Sequence, residues 1–305
     1  MKFFLNSLLF CIFFVPSVGH AQFGDLLKKL PGGLSVDSKE QSKPSDKSDS
    51  KPINDQGMLG GLLNLGTSSQ GENEEIEIGR GITSTILGAA KLFSNNNLQR
   101  YVNLVGQNIA QHSERKNLPW TFGIVDTPSI NAFAAPGGYI LVTSGLFAIL
   151  DTEDELAAIL AHEIVHVNKK HHYNIIQKQK MVEFGSKFMS SALGKDDKTG
   201  ISKRLVNMGR ELIARGLDKD AEYEADRDGV ILAARAGYDS SAMLTVLSKL
   251  QTKSRTKGDE SMKLFTATHP TPSDRIQALT DQMTDEIESY AIPSPAAERI
   301  KKSTK

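Results

Sequence analysis

The chain reads as an α+β fold, mainly helical, with a small β-sheet set beside one helix that carries two histidines and a glutamate. Three observations predict it. Residues 151–172, DTEDELAAILAHEIVHVNKKHH, keep a helical period around His162-Glu163-Ile164-Val165-His166. Residues 119–125 alternate in the period of a strand, and residues 131–143 read as strand, Pro136-Gly137-Gly138 turn, strand. Elsewhere apolar residues recur at three- and four-residue steps, as amphipathic helices require.

The helix within 151–172 has a start signal in Asp151-Thr152, and Glu153, Asp154 and Glu155 crowd a first turn where the helix dipole favours acids. Leu156, Leu160, Ile164 and Val167 lie at helical spacing, and Ala157, Ala158 and Ala161 permit close packing. Residues four apart share a face, so His162 and His166 can address one ion, with Glu163 in reach of a water beside it. Burying two imidazoles and a carboxylate together is costly unless a partner uses them. Two neutral histidines and an adjacent carboxylate suit zinc-assisted hydrolysis.

The chain has 305 residues, with 36 basic and 36 acidic side chains, and this balance leaves no electrostatic footprint for nucleic acid. Met1-Lys2, an apolar run over 3–18 and Gly19-His20-Ala21 form a secretory signal peptide at 1–21. Cys11, the single cysteine, falls inside that leader, so no disulfide is expected in the mature chain. No later apolar run is long enough for a membrane span, so a soluble mature chain is expected. Residues 22–73, rich in Gly, Ser, Lys and Asp, hold too few apolar groups to offset ordering entropy and read as a disordered arm. Its apolar patches at 26–30 and 59–65 could dock on a partner. A domain at 74–290 and a flexible basic tail at 291–305 complete the expected organisation.

Within the domain, Ile76, Ile78, Ile82, Ile86 and Leu92 suggest a helix interrupted at Gly79 and Gly81, and Leu98 to Ala110 a second one. Pro119 to Val125 reads as a strand, and Asn131 to Thr143 as strand, turn, strand. The strand at 138–143 is an edge on which an extended peptide could pair, or part of an ordinary core hairpin. A helix with Gly145, Leu146 and Ile149 leads into the histidine helix. Beyond it, Met181, Phe184, Phe188, Met189 and Leu193 suggest an amphipathic helix; 194–200 is a surface loop and 201–217 is helical again. A short helix follows at 240–250, then a polar loop at 251–261. His269-Pro270-Thr271-Pro272 forms a rigid turn, and Ser273 can cap a last helix carrying Ile276, Leu279, Met283 and Ile287.

Two histidines do not complete a catalytic zinc site, and a third protein ligand is expected. His172 has the spacing of a third metzincin histidine, but that arrangement needs a glycine where Lys169 stands. If the helix runs on, His171 and His172 point away from the His162/His166 face. Asp218 to Gly229 offers a better source. Glu222 and Asp226 lie four apart on a face continued by Gly229, Val230 and Ala233, and carboxylates on an inward stripe require a partner. Glu222 is assigned as the third ligand, over the alternatives Asp226 and Glu224. Asp226 is assigned the hydrogen bond to the outer nitrogen of a ligand histidine, His162.

HEIVH, then EYEAD, with NAFAAPGGYILVTSGL before and THPTPSDRI after, resembles the HtpX-like/CAAX-prenyl-endopeptidase family of gluzincin metallopeptidases across about residues 74–285. The resemblance implies a mainly helical gluzincin domain with a small active-site sheet. It also implies one zinc per chain on His162, His166 and Glu222, with Glu163 as general base. His269 aligns with a histidine that the family places near the metal; it could stabilise the oxyanion, hold the enzyme latent, or be bonded locally in its turn. Arg275 could pair with a site carboxylate or lie on the surface. The likeness is nearest to a secreted, periplasmic branch, although neither a helical repeat domain nor a lipidation cysteine is expected here. The function implied is a zinc endopeptidase of the bacterial cell envelope in protein quality control, its substrates unfolded or misassembled envelope proteins. The substrate is expected to lie along the 138–143 strand, and the arm could touch the membrane or assembly machinery. An envelope chaperone or assembly factor with a latent or mainly structural zinc is the competing reading.

Overall fold

The computed structural model describes residues 68–191, 216–256 and 259–290. The expected leader at 1–21, the arm as far as 67, the loop at 194–200, most of the helix at 201–217 and the tail at 291–305 lie outside them. Among the described residues the chain is mainly helical with one small sheet: α1 (Ser68–Ala89), α2 (Asn96–Ala110), β1 (Thr121–Val125), β2 (Ala132–Ala135), β3 (Tyr139–Thr143), α3 (Ser144–Phe147), α4 (Glu153–Asn168), α5 (His171–Ser191), α6 (Lys219–Arg235), α7 (Ala242–Ser254), a 3-10 turn (Glu260–Met262), α8 (Lys263–Thr268) and α9 (Pro272–Tyr290). No helix among them is long and apolar enough to cross a membrane.

Helix α4 is buried on nearly every side. Its cap is Thr152, whose Oγ1 accepts from the Glu155 N–H at 3.2 Å. The three acids of the first turn are buried but none is a bare charge. The Tyr101 hydroxyl donates to Glu153 at 2.8 Å, the Asp239 N–H donates to Asp154 at 3.0 Å, and the Lys249 ammonium meets Glu155 at 2.7 Å. These bonds fix the start of α4 to α2 and to the α6–α7 region. Leu156, Leu160 and Ile164 fill the core beneath it.

The sheet has the order β1-β3-β2. β2 and β3 form the expected antiparallel hairpin, with Phe133 opposite Leu141. Its turn uses Gly137 at φ 77° and Gly138 at φ 99°, a region that a side chain disfavours. β1 then pairs parallel to β3 on the other side, Phe122 opposite Ile140. The expectation that a peptide pairs with the 138–143 strand is therefore corrected: β3 is the central strand, its backbone engaged on both sides. Among the described strands β2 is an outer one, and it packs on α4. A hairpin is visible in local alternation, whereas a parallel partner that arrives from 14 residues upstream is not.

Helix α1 starts at Ser68, earlier than Glu74, and runs unbroken through Gly79 and Gly81, where an interruption was expected. The glycine at 79 serves close approach: a Cβ there would stand 1.7 Å from the Pro136 carbonyl oxygen. The same face is clasped by buried Glu75, which accepts from the Arg115 guanidinium at 2.8 and 2.9 Å and from the Gly137 N–H at 3.1 Å. Helix α7 continues to Ser254, into the expected loop. At α9, Thr271 rather than Ser273 accepts from the Asp274 N–H (3.1 Å), and Pro272 occupies the first turn, where a missing N–H costs nothing.

Gly79→Ala is expected to destabilise the chain by about 1–3 kcal/mol, because the methyl must push α1 off the hairpin turn. Gly88→Ala, on the exposed side of the same helix with nothing within 4 Å of the added Cβ, is expected to be neutral or slightly stabilising. Paired thermal melts check this, and an equal melting temperature for Gly79→Ala and the parent contradicts the close-approach argument.

Candidate metal centre

Helix α4 packs more extensively on α6 than on any other described element, and Gly229 lies in that contact. A Cβ at Gly229 would stand 3.1 Å from the backbone N and Cα of His162. Because that side chain is absent, the two helix axes come near enough for Asp226 and Glu222, one and two turns earlier on the same face, to meet the α4 histidines. Asp218 caps α6, its carboxylate accepting from the Ala221 N–H at 2.9 Å, and this fixes the turn that bears Glu222.

His162, Glu163, His166, Glu222 and Asp226 are all buried. His162 Nε2 and His166 Nε2 are 3.1 Å apart; Glu222 Oε2 lies 3.6 Å from the first and Oε1 3.5 Å from the second. Donors bound at about 2.0–2.1 Å around a tetrahedral ion sit about 3.3–3.4 Å apart, so these spacings suit one zinc-sized ion. Glu222 Oε2 is also buried without a hydrogen-bond partner among the described residues, an arrangement that an ion would complete. His269 Nε2 stands 3.7 Å from Glu222 Oε2, and His162, Glu222 and His269 offer ligand atoms within 4.8 Å of one another. Glu224, by contrast, is one-third exposed and pairs with Lys169 and His171.

Residues around the cluster hold its donors in place. Asp226 Oδ1 lies 3.0 Å from His162 Nδ1. The buried Arg275 grips the same carboxylate through Nε at 2.8 Å and through a second, shorter bond from Nη2. His269 stacks on Phe265 with ring centres 4.6 Å apart, and its Nδ1 is 2.8 Å from the Thr268 hydroxyl, so it is both locally bonded and directed at the cluster. Glu163 lines one small cavity with His166, His172, Glu222 and His269, and another with Arg275 and Phe265; Asn131 and Ala132, where β2 begins, border both.

Peptidase family M48 matches residues 96–283. The chain belongs to that family. Among curated proteins, the M48 chain is 30% identical to a beta-barrel assembly-enhancing protease of Yersinia pestis over 70% of its own length and 46% of the relative's. It is 29% identical to the protein of that name in Escherichia coli (strain K12), over 70% and 45%. To the mitochondrial metalloendopeptidase OMA1 of Schizosaccharomyces pombe it is 30% identical, over 59% and 52%. The M48 chain thus spans about half the length of these relatives, and the resemblance carried by HEIVH and EYEAD agrees with the family.

The electrostatics of the M48 centre separate its two imidazoles. Burial pulls His162 down, but Asp226 and Glu222 outweigh it and carry the ring up to about 9. Burial and the charge of His162 hold His166 well below its ordinary value. Glu163 is pushed up to about 7 by burial, with the Glu222 charge adding to it and the His162 charge opposing. Burial also raises Asp226 and Glu222, yet their cationic neighbours, Arg275 for the one and the histidines for the other, bring both below the usual carboxylate range.

The sequence reading of His171 and His172 is corrected. Helix α4 stops at Asn168, and Lys170 takes φ 57°, so the chain reverses instead of running on. His171 Nδ1 is consequently 2.8 Å from His166 Nδ1, and the His172 ring centre lies 5.8 Å from that of His166. The polar Asn168-Lys169-Lys170 run after Val167 was the available signal for the break. Arg275, ambiguous in the sequence, is buried at the centre.

Removal of divalent metal by a chelator is expected to lower the melting temperature. An ion present at 1,000 times its Kd contributes about 4 kcal/mol, which corresponds to about 8–16 °C in a domain of this size. Calorimetry with and without chelator, followed by zinc re-addition, checks it; a melting temperature indifferent to both contradicts an ion at this cluster.

Proposed function

We propose that this M48 chain is a zinc-dependent endopeptidase of the bacterial cell envelope, engaged in protein quality control. The observation that carries the reading is the convergence of His162, His166 and Glu222, with Glu163 beside them and the outer strand β2 bordering the same cavities. His162, His166 and Glu222 would hold the zinc, one per chain. When bound, zinc supplies a Lewis acid that polarises a carbonyl and brings a water's pKa toward about 7.

The other parts of the mechanism belong to the chain itself. A peptide substrate would lie extended beside β2, which borders the same cavities, so that its scissile carbonyl faces the centre. Glu163, beside the donors and lining the same cavities, takes the proton of the attacking water on its carboxylate and delivers it to the leaving amine. Asp226 fixes the His162 tautomer by accepting from Nδ1–H, and Arg275 keeps that carboxylate ionised and oriented. To stabilise the developing oxyanion His269 must carry a proton on Nε2 as an imidazolium, because the Thr268 hydroxyl donates to the Leu264 carbonyl and so takes His269 Nδ1–H.

The predicted leader supports export to the periplasm, and the names of the Yersinia and Escherichia relatives support envelope proteins, unfolded or misassembled, as substrates. One observation favours a second reading, an assembly factor with a latent zinc. The 3.7 Å between His269 and Glu222 lets His269 serve as a fourth donor that closes the site.

Glu163→Gln is expected to cut casein hydrolysis by about 10²–10⁴-fold or more while one zinc per chain remains, measured by digestion assay and metal analysis with and without chelator. Proteolysis undiminished in the zinc-loaded variant contradicts the base assignment. In the same assay His269→Ala separates the two roles of that residue: activity falls if it stabilises charge and rises if it closes the site.

A further inference from the structure

We infer that His171 is a positioning residue for the metal centre, passing the hold of Glu224 to the second histidine of the cluster. The inference rests on the reading of His162, His166 and Glu222 as the zinc ligands, and deepens it.

His166 turns Nε2 toward His162 and Glu222, at 3.1 and 3.5 Å. As a neutral ligand it must offer a lone pair there and carry its proton on Nδ1. That nitrogen is 2.8 Å from His171 Nδ1. Two imidazole nitrogens can share one hydrogen, so His166 donates and His171 accepts. The proton of His171 then belongs on Nε2, which lies 3.2 Å from Glu224 Oε2 and donates to it. The other carboxylate oxygen, Oε1, faces Lys169 Nζ at 3.4 Å, and that ammonium also pairs with Asp228 at 3.0 Å. Every hydrogen along the line Glu224, His171, His166 is assigned without conflict, and the assigned tautomers are the ones that leave His166 Nε2 free to bind.

The two ligand histidines thus have different holds. His162 is gripped directly by a buried carboxylate that Arg275 neutralises. His166 is gripped through an interposed imidazole by a carboxylate about one-third exposed. In an unbroken helix a residue five positions on would sit about 140° around the axis and could not reach back. The reversal at Lys170 brings the first residue of α5 against the last turn of α4 and makes the contact possible. An ordinary surface pair between His171 and Glu224 would place no demand on which His171 nitrogen faces inward. Here Nδ1 meets the one polar atom of His166 that the cluster does not use.

The test is the zinc dissociation constant of the full chain, measured by chelator competition for the parent, His171→Ala, His171→Gln and Glu224→Ala, with melting temperatures taken in chelator. Loss of such a partner weakens metal binding by about 10–100-fold, and His171→Ala is expected in that range. His171→Gln, whose amide oxygen can accept from His166 Nδ1–H, is expected to recover most of the loss, and Glu224→Ala to show a smaller one. Parent-like zinc affinity in His171→Ala overturns the inference, as does equal weakening in His171→Gln. If His171→Ala melts lower in chelator, Glu224→Ala decides: a several-fold loss of affinity sustains the inference and an unchanged constant overturns it. Failure of the parent itself to bind zinc would instead overturn the metallopeptidase reading.

Discussion

The structure depends on one constraint: charges taken out of water between α4 and α6 must answer one another. Two imidazoles and three carboxylates lie within that contact, all nearly inaccessible to solvent. Isolated, any of them would be expensive. Asp226 is compensated by Arg275, reaching in from α9, and by His162. Glu222 keeps an oxygen, Oε2, with no hydrogen-bond partner among the described residues, and the imidazole nitrogens of His162 and His269 face it. A helix pair that only had to be stable would have filled this space with leucine and valine, as the rest of α4 does. The donor types and spacings of this polar set fit a zinc-sized ion.

The surrounding elements follow from the need to hold α4 still while one side of the centre remains approachable. The first turn of α4 is tied down by Tyr101, Asp239 and Lys249, its flank is met by α6 at Gly229, and its C-terminal end reverses at Lys170. α1 covers the hairpin turn so closely that a methyl at Gly79 would collide with Pro136. The sheet is therefore braced from behind and presents β2 toward the centre. In this arrangement the backbone edge that could receive a peptide and the carboxylate that could serve as base border the same cavities.

Much of this was legible in the sequence, and the limits have physical causes. The α4 face carrying His162 and His166, and the α6 face carrying Glu222, Asp226 and Gly229, could be read from helical spacing because both periods are local and both stripes are buried. The β2–β3 hairpin was legible from alternation and its Pro-Gly-Gly turn. Strand order was not, since the pairing of β1 with β3 is set by tertiary packing and leaves no local pattern. Gly79 looked like a helix breaker because spacing cannot tell a glycine that interrupts from one that lets another backbone approach. His171 and His172 were sent outward by assuming a continuous helix, and one residue in the left-handed region at Lys170 reversed that outcome.

The most direct test of the central claim is the anomalous scattering of zinc in crystals of the zinc-loaded chain. A single peak is expected about 2.0–2.2 Å from His162 Nε2, His166 Nε2 and a Glu222 carboxylate oxygen. A peak that leaves out His166 or Glu222, or no peak between α4 and α6 in protein shown to contain zinc, would contradict it.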